Sequence, residues 1–176
     1  WTTTTPTVRS CATRLGRGRC KWTAPQAVTK PLEPEFKKAH ILLAEDNFIN
    51  QKIVLAQLSR LHCRADAVAN GREVLEALQR ISYNLIFMDC QMPEMDGYDA
   101  SQAIRQREKR LSPPCPWKSP VHIIALTAHA MQGEREKCLA AGMDDYLCKP
   151  LRQAELQSAL ERWQIAVQER HSSAPA

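Results

Sequence analysis

Hydrophobic and polar positions alternate in blocks from His40 onward, and two kinds of block follow each other in regular order. Short uninterrupted apolar runs are typical of strands buried on both faces of a sheet. Between them lie segments whose apolar residues recur every three or four positions, as in amphipathic helices. The apolar runs predict five strands, at 41–44, 65–69, 85–88, 121–126 and 146–148. The periodic segments predict five helices, at 49–61, 71–81, 96–107, 131–141 and 156–167.

The spacing within the helical segments also assigns side chains to buried and exposed faces. Five apolar residues of the first helix are assigned to one buried face: Ile49, Ile53, Val54, Leu58 and Leu61. Tyr98 and Ile104 are candidates for the buried face of the third helix. The charged run 134–137 is interpreted as a solvated helix face, and Gly142 as the residue that ends the fourth helix.

Five strands that alternate with five helices predict an α/β fold. Consecutive parallel strands need helical crossovers, and right-handed crossovers place helices on both faces of the sheet. The expected architecture is therefore an open, doubly wound, five-stranded parallel sheet. Ligands of such sheets bind beyond the carboxyl ends of the strands.

The first 38 residues differ in composition from the rest of the chain. They are rich in Thr, Pro, Arg and Gly, and their eight Lys or Arg against two acidic residues give a formal charge of +6. Because the whole chain carries +5, the remaining residues are close to neutral, at −1. We expect residues 1–38 to form a disordered or linker segment, 39–168 the domain and 169–176 a small polar tail. A solvated linker is favoured over contact with nucleic acid or anionic lipid, so no specific nucleic-acid partner is predicted.

A second irregular stretch, 109–120, precedes the fourth predicted strand. It contains four prolines and Trp117. It is interpreted as a disordered insertion or a contact surface, with Trp117 as the candidate contact residue.

Composition narrows the class of protein. The chain has 176 residues, 44% of them apolar and 24% charged, as in an average soluble globular protein. No apolar run approaches the ~20 residues that cross a bilayer, so no membrane insertion is expected. The seven cysteines are odd in number and form no C-x-x-C pair, which is typical of a reducing compartment. We therefore expect these residues to be cytoplasmic, even if they belong to a longer parent protein that is anchored in a membrane.

Polar side chains follow four of the five predicted strands: Glu45 and Asp46, Asp89, Thr127, and Lys149. Two like charges 4 Å apart repel by roughly 4 kcal/mol at an effective dielectric constant of ~20. Three carboxylates at one edge of the sheet therefore predict a bound cation, and hard oxygen ligands favour Mg²⁺. The same residues suit phosphoryl transfer, with Asp89 as nucleophile and with Lys149 and Thr127 contacting the phosphoryl oxygens.

These residues carry a resemblance to CheY-like receiver domains of two-component signalling. The resemblance covers about residues 39–168, and its motifs occur in order: Glu45-Asp46-Asn47, Met88-Asp89-Cys90-Gln91-Met92-Pro93-Glu94-Met95-Asp96-Gly97, Ala125-Leu126-Thr127-Ala128 and Lys149-Pro150. It implies a flavodoxin-like (βα)5 fold with strand order 2-1-3-4-5. It also implies that Asp89 is the phosphoacceptor and that Asp46, Asp89 and the backbone carbonyl of Gln91 bind Mg²⁺, with Glu45 acting through water.

The resemblance implies further roles. Thr127 and Tyr146 resemble the switch pair of the family, and Lys149-Pro150 resembles its cis peptide. The residue sequences of the motifs are most similar to those of receivers attached to hybrid sensor histidine kinases. The partners implied are a histidine kinase domain, in the same parent chain or another, and a histidine phosphotransfer protein. The only enzymatic activity expected is Mg²⁺-dependent self-phosphorylation and self-dephosphorylation of Asp89.

Two other functions remain open at this point. One is a docking module on the same fold that never receives phosphate. The other, less favoured, is a phosphatase with an aspartate nucleophile, as in haloacid-dehalogenase-type enzymes. Such enzymes need a second acid two residues after the nucleophile, and here Gln91 stands in that position.

Overall fold

The computed structural model describes residues 39–110, 115, 117, 120–128 and 132–172, with backbone only at 132, 171 and 172. The linker predicted at 1–38, most of the proline-rich stretch and residues 173–176 lie outside the described residues. Among the described residues, no helix is both long enough and apolar enough to cross a membrane.

The described residues contain all ten predicted elements, in the predicted order. The strands are β1 (His40–Ala44), β2 (Arg64–Val68), β3 (Leu85–Asp89), β4 (His122–Thr127) and β5 (Asp145–Cys148). The helices are α1 (Phe48–Arg60), α2 (Gly71–Arg80), α3 (Gly97–Glu108), α4 (Gln132–Ala140) and α5 (Gln153–Ser172). Most boundaries differ from the predicted ones by one or two residues, while α5 continues to Ser172, beyond the predicted end of the domain at residue 168.

The five strands form one parallel sheet with the order β2-β1-β3-β4-β5, which confirms the predicted doubly wound fold. The register places Ala44 beside Met88, Asp89 beside Leu126, and Thr127 beside Cys148. The residues at the carboxyl ends of β1, β3, β4 and β5 therefore meet at one edge of the sheet.

Two apolar clusters cover the two faces of the sheet. Alternate strand residues point to opposite faces, so Leu42 and Ile86 pack with α2 and α3, while Ile41 and Phe87 pack with α1 and α5. Full burial of a large apolar side chain contributes about 1.5–3 kcal/mol. Both faces are needed to hold β1 and β3 in the centre of the sheet, where the acidic residues follow them.

The predicted single buried face of α1 is wrong. Val54 and Leu58 are buried, but Ile49 and Ile53 are 67% and 49% exposed. At 100° per residue, Ile49 and Ile53 lie on a different side of the helix from Val54 and Leu58. The helix thus has a second, exposed apolar side at Ile49 and Ile53, and Phe48 in its first turn is exposed as well.

Trp117 does not lie on a contact surface, contrary to that interpretation of the stretch 109–120. Its side chain is 4% exposed and packs in the core, and its Nε1 donates to Glu108 Oε1 at 3.4 Å. The same carboxylate oxygen accepts the backbone N–H of Val121 at 2.8 Å. Arg105 binds the other oxygen of Glu108 as well as Asp144, and this network fastens both ends of the stretch at the amino end of the sheet.

Candidate functional site

A cleft of about 600 Å³ lies at the carboxyl edge of the sheet. It is lined by every residue that the sequence placed at the strand ends: Glu45, Asp46, Asp89, Thr127 and Lys149. Gln91 also lines it, whereas Tyr146 does not. The strand register is what brings these positions, up to 104 residues apart in the sequence, to one place.

Lys149 joins two buried carboxylates in this cleft. Its Nζ donates to Glu45 Oε2 at 2.6 Å and to Asp89 Oδ2 at 2.5 Å. Glu45 is 1% exposed and Asp89 is 6% exposed. One ammonium therefore compensates two carboxylates that water reaches poorly, and a negative charge remains in the cleft.

The start of α1 fixes the first carboxylate. Asn47 caps the helix, since its side chain accepts the backbone N–H of Ile49 at 2.9 Å and of Asn50 at 3.2 Å. Asn50 in turn donates from Nδ2 to Glu45 Oε1 at 2.8 Å. Both carboxylate oxygens of Glu45 are thus occupied by protein donors. Asn50 was not predicted as a site residue, although its position in the first turn of a helix that follows an acidic pair is a signal for it.

Asp46 completes a group of three carboxylates. One oxygen each from Glu45, Asp46 and Asp89 lie within 4.8 Å of one another, and Asp46 is exposed while the other two are buried. Oxygen donors of this type suit a hard divalent cation such as Mg²⁺. The group fits the cation predicted from the sequence, and its excess of negative charge explains why a cation would bind.

Burial dominates the acid–base properties of Asp89. It raises the pKa of the carboxyl, although the hydrogen bonds from Lys149 and from the backbone N–H of Gln91, at 3.1 Å, act to lower it. For Lys149, burial acts to lower the pKa, but the hydrogen bonds to Asp89 and Glu45 outweigh it and raise the pKa. The ammonium therefore stays charged, and a further cation would favour the ionised form of Asp89.

The last two strands fix Thr127 and Lys149 relative to each other. The backbone N–H of Lys149 donates to the carbonyl of Thr127 at 2.7 Å. The peptide bond between Lys149 and Pro150 is cis, which confirms that expectation. Thr127 is buried at the cleft wall, and Tyr146 is half-buried against the core, opposite Ala125. The switch roles of Thr127 and Tyr146 stay predictions.

One wall of the cleft was not anticipated. Glu134, assigned to a solvated helix face, lines the cleft and accepts a hydrogen bond from the hydroxyl of Tyr98 at 2.9 Å. The sequence shows Glu134 only as one of four consecutive charged residues, and nothing in its spacing indicates that the first turns of α4 lean over the cleft.

A sequence model of the response regulator receiver domain matches residues 41–161. The chain belongs to this family. As a receiver domain of the two-component phosphorelay type, it has relatives in hybrid kinases. It is 45% identical over 119 residues to hybrid signal transduction histidine kinase B of Dictyostelium discoideum, a match that covers 66% of this chain and 6% of that protein's length.

Solved receiver domains are similar in sequence and fold. One is the receiver domain of the sensor histidine kinase PA1611 from Pseudomonas aeruginosa PAO1, whose crystal structure has a magnesium ion coordinated in the active-site cleft. It is 46% identical in sequence to this chain, with a TM-score of 0.62, and the match covers 71% of this chain and 96% of that one. Another match is to a chain in a co-crystal structure from Saccharomyces cerevisiae, which contains the histidine phosphotransfer protein Ypd1 and the receiver domain of Ssk1. That chain is 34% identical to this one, with a TM-score of 0.64, and the match covers 71% of this chain and 88% of that one.

Proposed function

We propose that this receiver domain accepts a phosphoryl group from a phosphohistidine onto Asp89. The observation that carries the proposal is the contact of one lysine ammonium with Asp89 and Glu45 beside Asp46. An oxygen of ionised Asp89 attacks the phosphorus, the phosphorus–nitrogen bond breaks, and the imidazole leaves with the bonding electrons. Asp89 then carries an acyl phosphate.

Mg²⁺ is the cofactor of this proposal. Asp46, Asp89 and the backbone carbonyl of Gln91 would hold the ion, and Glu45, which also accepts hydrogen bonds from Asn50 and Lys149, would act through water. When bound, the ion neutralises charge on the phosphoryl oxygens. The three neighbouring carboxylate oxygens and the presence of magnesium in the PA1611 receiver support this assignment.

The protein's own groups do the rest. Lys149 is close enough to Asp89 to pass from the carboxylate to a phosphoryl oxygen once the acyl phosphate forms. Thr127 would donate its hydroxyl to another phosphoryl oxygen and move toward it. Tyr146 would then turn into the space that Thr127 leaves, which makes the pair the proposed switch.

The donor and acceptor of the phosphoryl group are proposed to be proteins that carry a histidine: a kinase domain, in the same parent chain as in hybrid kinases, or a phosphotransfer protein. Asp89 lies inside a cleft, so a partner must contact its rim to reach it. The exposed apolar residues Phe48, Ile49 and Ile53 lie in the first two turns of α1, which begins after the cleft residue Asn47, and they offer such a contact. The unpaired cysteines among the described residues support a cytoplasmic site of action.

The test uses beryllofluoride, which mimics an aspartyl phosphate, together with Mg²⁺. Binding is followed by amide NMR, and transfer is followed by labelled phosphate from a phosphorylated histidine kinase. We expect both in the wild type and neither in Asp89→Asn. Asp66→Asn is the matched control, because Asp66 is a carboxylate on β2 that binds Tyr83 away from the cleft. If the chain were a docking module, neither beryllofluoride binding nor phosphate transfer would be seen in the wild type. If it were a phosphatase, it would hydrolyse a small phosphomonoester.

A further inference from the structure

A tyrosine–carboxylate pair connects two helices at the wall of the cleft. The hydroxyl of Tyr98, in the first turn of α3, donates to Glu134 Oε2 at 2.9 Å, in the first turn of α4. The other oxygen of Glu134 accepts from Lys137 Nζ at 2.8 Å. Glu134 thus anchors the beginning of α4 to α3 while its own side chain faces the cleft.

The surroundings of this pair reach the residue next to the proposed phosphoacceptor. Tyr98 packs against the apolar cluster that contains Cys90, directly after Asp89, and Cys138 of α4. The Sγ atoms of Cys90 and Cys138 are 3.8 Å apart. Burial raises the pKa of the Tyr98 phenol, and its hydrogen bonds with Cys90 and Glu134 raise it further, so the hydroxyl stays a donor at neutral pH. The contacts form a continuous path from β3 to α4.

The charge balance of the cleft acts on Glu134. Among the described residues that line the cleft, four carboxylates face one lysine: Glu45, Asp46, Asp89 and Glu134 against Lys149. With the proposed Mg²⁺ bound before and after transfer, an acyl phosphate replaces the single charge of Asp89 with a dianionic group that also extends further into the cleft, so the cleft gains one negative charge. Glu134, the carboxylate of this set that belongs to α4, is then repelled from the position that Tyr98 holds.

We propose that phosphorylation of Asp89 breaks the Tyr98–Glu134 hydrogen bond and thereby releases the first turns of α4, so that this pair stabilises the unphosphorylated conformation. The proposal rests on the proposed function of Asp89. It adds a route from the cleft to α4 that is separate from Thr127 and Tyr146.

Linkage gives the expected magnitude. A contact made only in the unphosphorylated conformation lowers the apparent affinity for anything that binds the other conformation. A hydrogen bond to a charged group changes an equilibrium constant by about tenfold or more when buried. Because Glu134 is partly exposed, Tyr98→Phe should tighten the apparent affinity for Mg²⁺–beryllofluoride by about 3- to 10-fold.

The control is a second tyrosine–carboxylate pair. Tyr83 donates its hydroxyl to Asp66 Oδ2 at 2.8 Å, outside the cleft lining. Tyr83→Phe removes the same kind of bond, so it should leave the affinity for Mg²⁺–beryllofluoride at the wild-type value. Titrations of the wild type and both variants are followed by amide NMR, and thermal unfolding of each variant checks that it is folded.

Two further measurements separate this route from a general effect on stability. In hydrogen exchange with Mg²⁺ present throughout, amides of α4 should exchange faster in the wild type with beryllofluoride than without it, and faster in Tyr98→Phe than in the wild type when beryllofluoride is absent. In a double-mutant cycle, the variant that combines Tyr98→Phe with Glu134→Ala should bind Mg²⁺–beryllofluoride no more tightly than Glu134→Ala alone. Equal affinities of Tyr98→Phe and Tyr83→Phe, with unchanged exchange in α4, would overturn the proposal. Failure of the wild type itself to bind the mimic would instead overturn the proposed function, and this proposal with it.

Discussion

Replacing Lys149 by methionine removes the ammonium from between two carboxylates but keeps a side chain of similar length. Its hydrogen bonds to Glu45 and Asp89 are short and charge-assisted, and such bonds contribute about 1.5–3 kcal/mol each. Breaking a fully buried ion pair costs about 3–5 kcal/mol. Because the Lys149 side chain is 23% exposed, water screens part of the loss. We expect the free energy of unfolding to fall by about 2–4 kcal/mol at pH 7 without divalent cations.

Urea unfolding with and without Mg²⁺ measures this loss. The excess negative charge should make the variant gain more stability from Mg²⁺ than the wild type does. The loss should also shrink as the pH is lowered, because burial raises the pKa of Asp89 and its protonation removes one of the two repelling charges. Lys52→Met is the control, since Lys52 is an exposed lysine over the ring of Phe48 and should cost less than about 1 kcal/mol. A Lys149→Met variant that unfolds at the wild-type urea midpoint would refute the electrostatic account of the cleft.

Three further predictions concern single positions. Asp89→Asn should raise the stability of the metal-free protein in urea, because it removes a carboxylate whose ionised form is disfavoured by burial, and a lower midpoint would contradict this. His122 is buried, and burial lowers its pKa from 6.5, so the unfolded chain binds more protons than the folded protein as the pH falls. The urea midpoint of the wild type should therefore fall between pH 7 and 5.5, and it should fall more steeply than that of His122→Leu. Gly97→Ala would put a Cβ 2.1 Å from the carbonyl oxygen of Asp89 and should lower the free energy of unfolding by about 3 kcal/mol or more. The added Cβ of Gly133→Ala meets nothing within 4 Å, so this variant should raise the free energy of unfolding by up to about 1 kcal/mol. Equal effects of the two variants in thermal unfolding would refute this.

The fold could be predicted from the sequence because strand and helix patterns differ sharply. Runs such as 85–88 are apolar throughout, as expected for a strand covered on both faces, whereas apolar residues in the helical segments recur every three or four positions. The strand order itself came from the resemblance, since periodicity does not say which strands are neighbours. Residues at strand ends were predictable as a group, because parallel strands end at the same edge.

What could not be predicted depends on side-chain positions across elements. Ile49 and Ile53 are apolar but exposed, because a helix can carry two apolar stripes and the sequence does not say which one packs on the sheet. Glu134 looks like any solvated helix residue until α4 is placed beside the cleft. Trp117 lies in a proline-rich stretch without periodicity, and only the position of Glu108 shows that it folds back into the core.

The attachment of both ends of the stretch 109–120 has a consequence for insertions into the chain. One oxygen of Glu108 accepts hydrogen bonds from both Trp117 and Val121, at the start of β4, so the two ends of the stretch are held close together. Each doubling of a flexible loop costs only about 0.6 kcal/mol. Glu108 and Val121 lie at the amino end of the sheet, away from the cleft, so we expect a tag or fluorescent reporter inserted between Glu108 and Trp117 to leave the cleft residues in place.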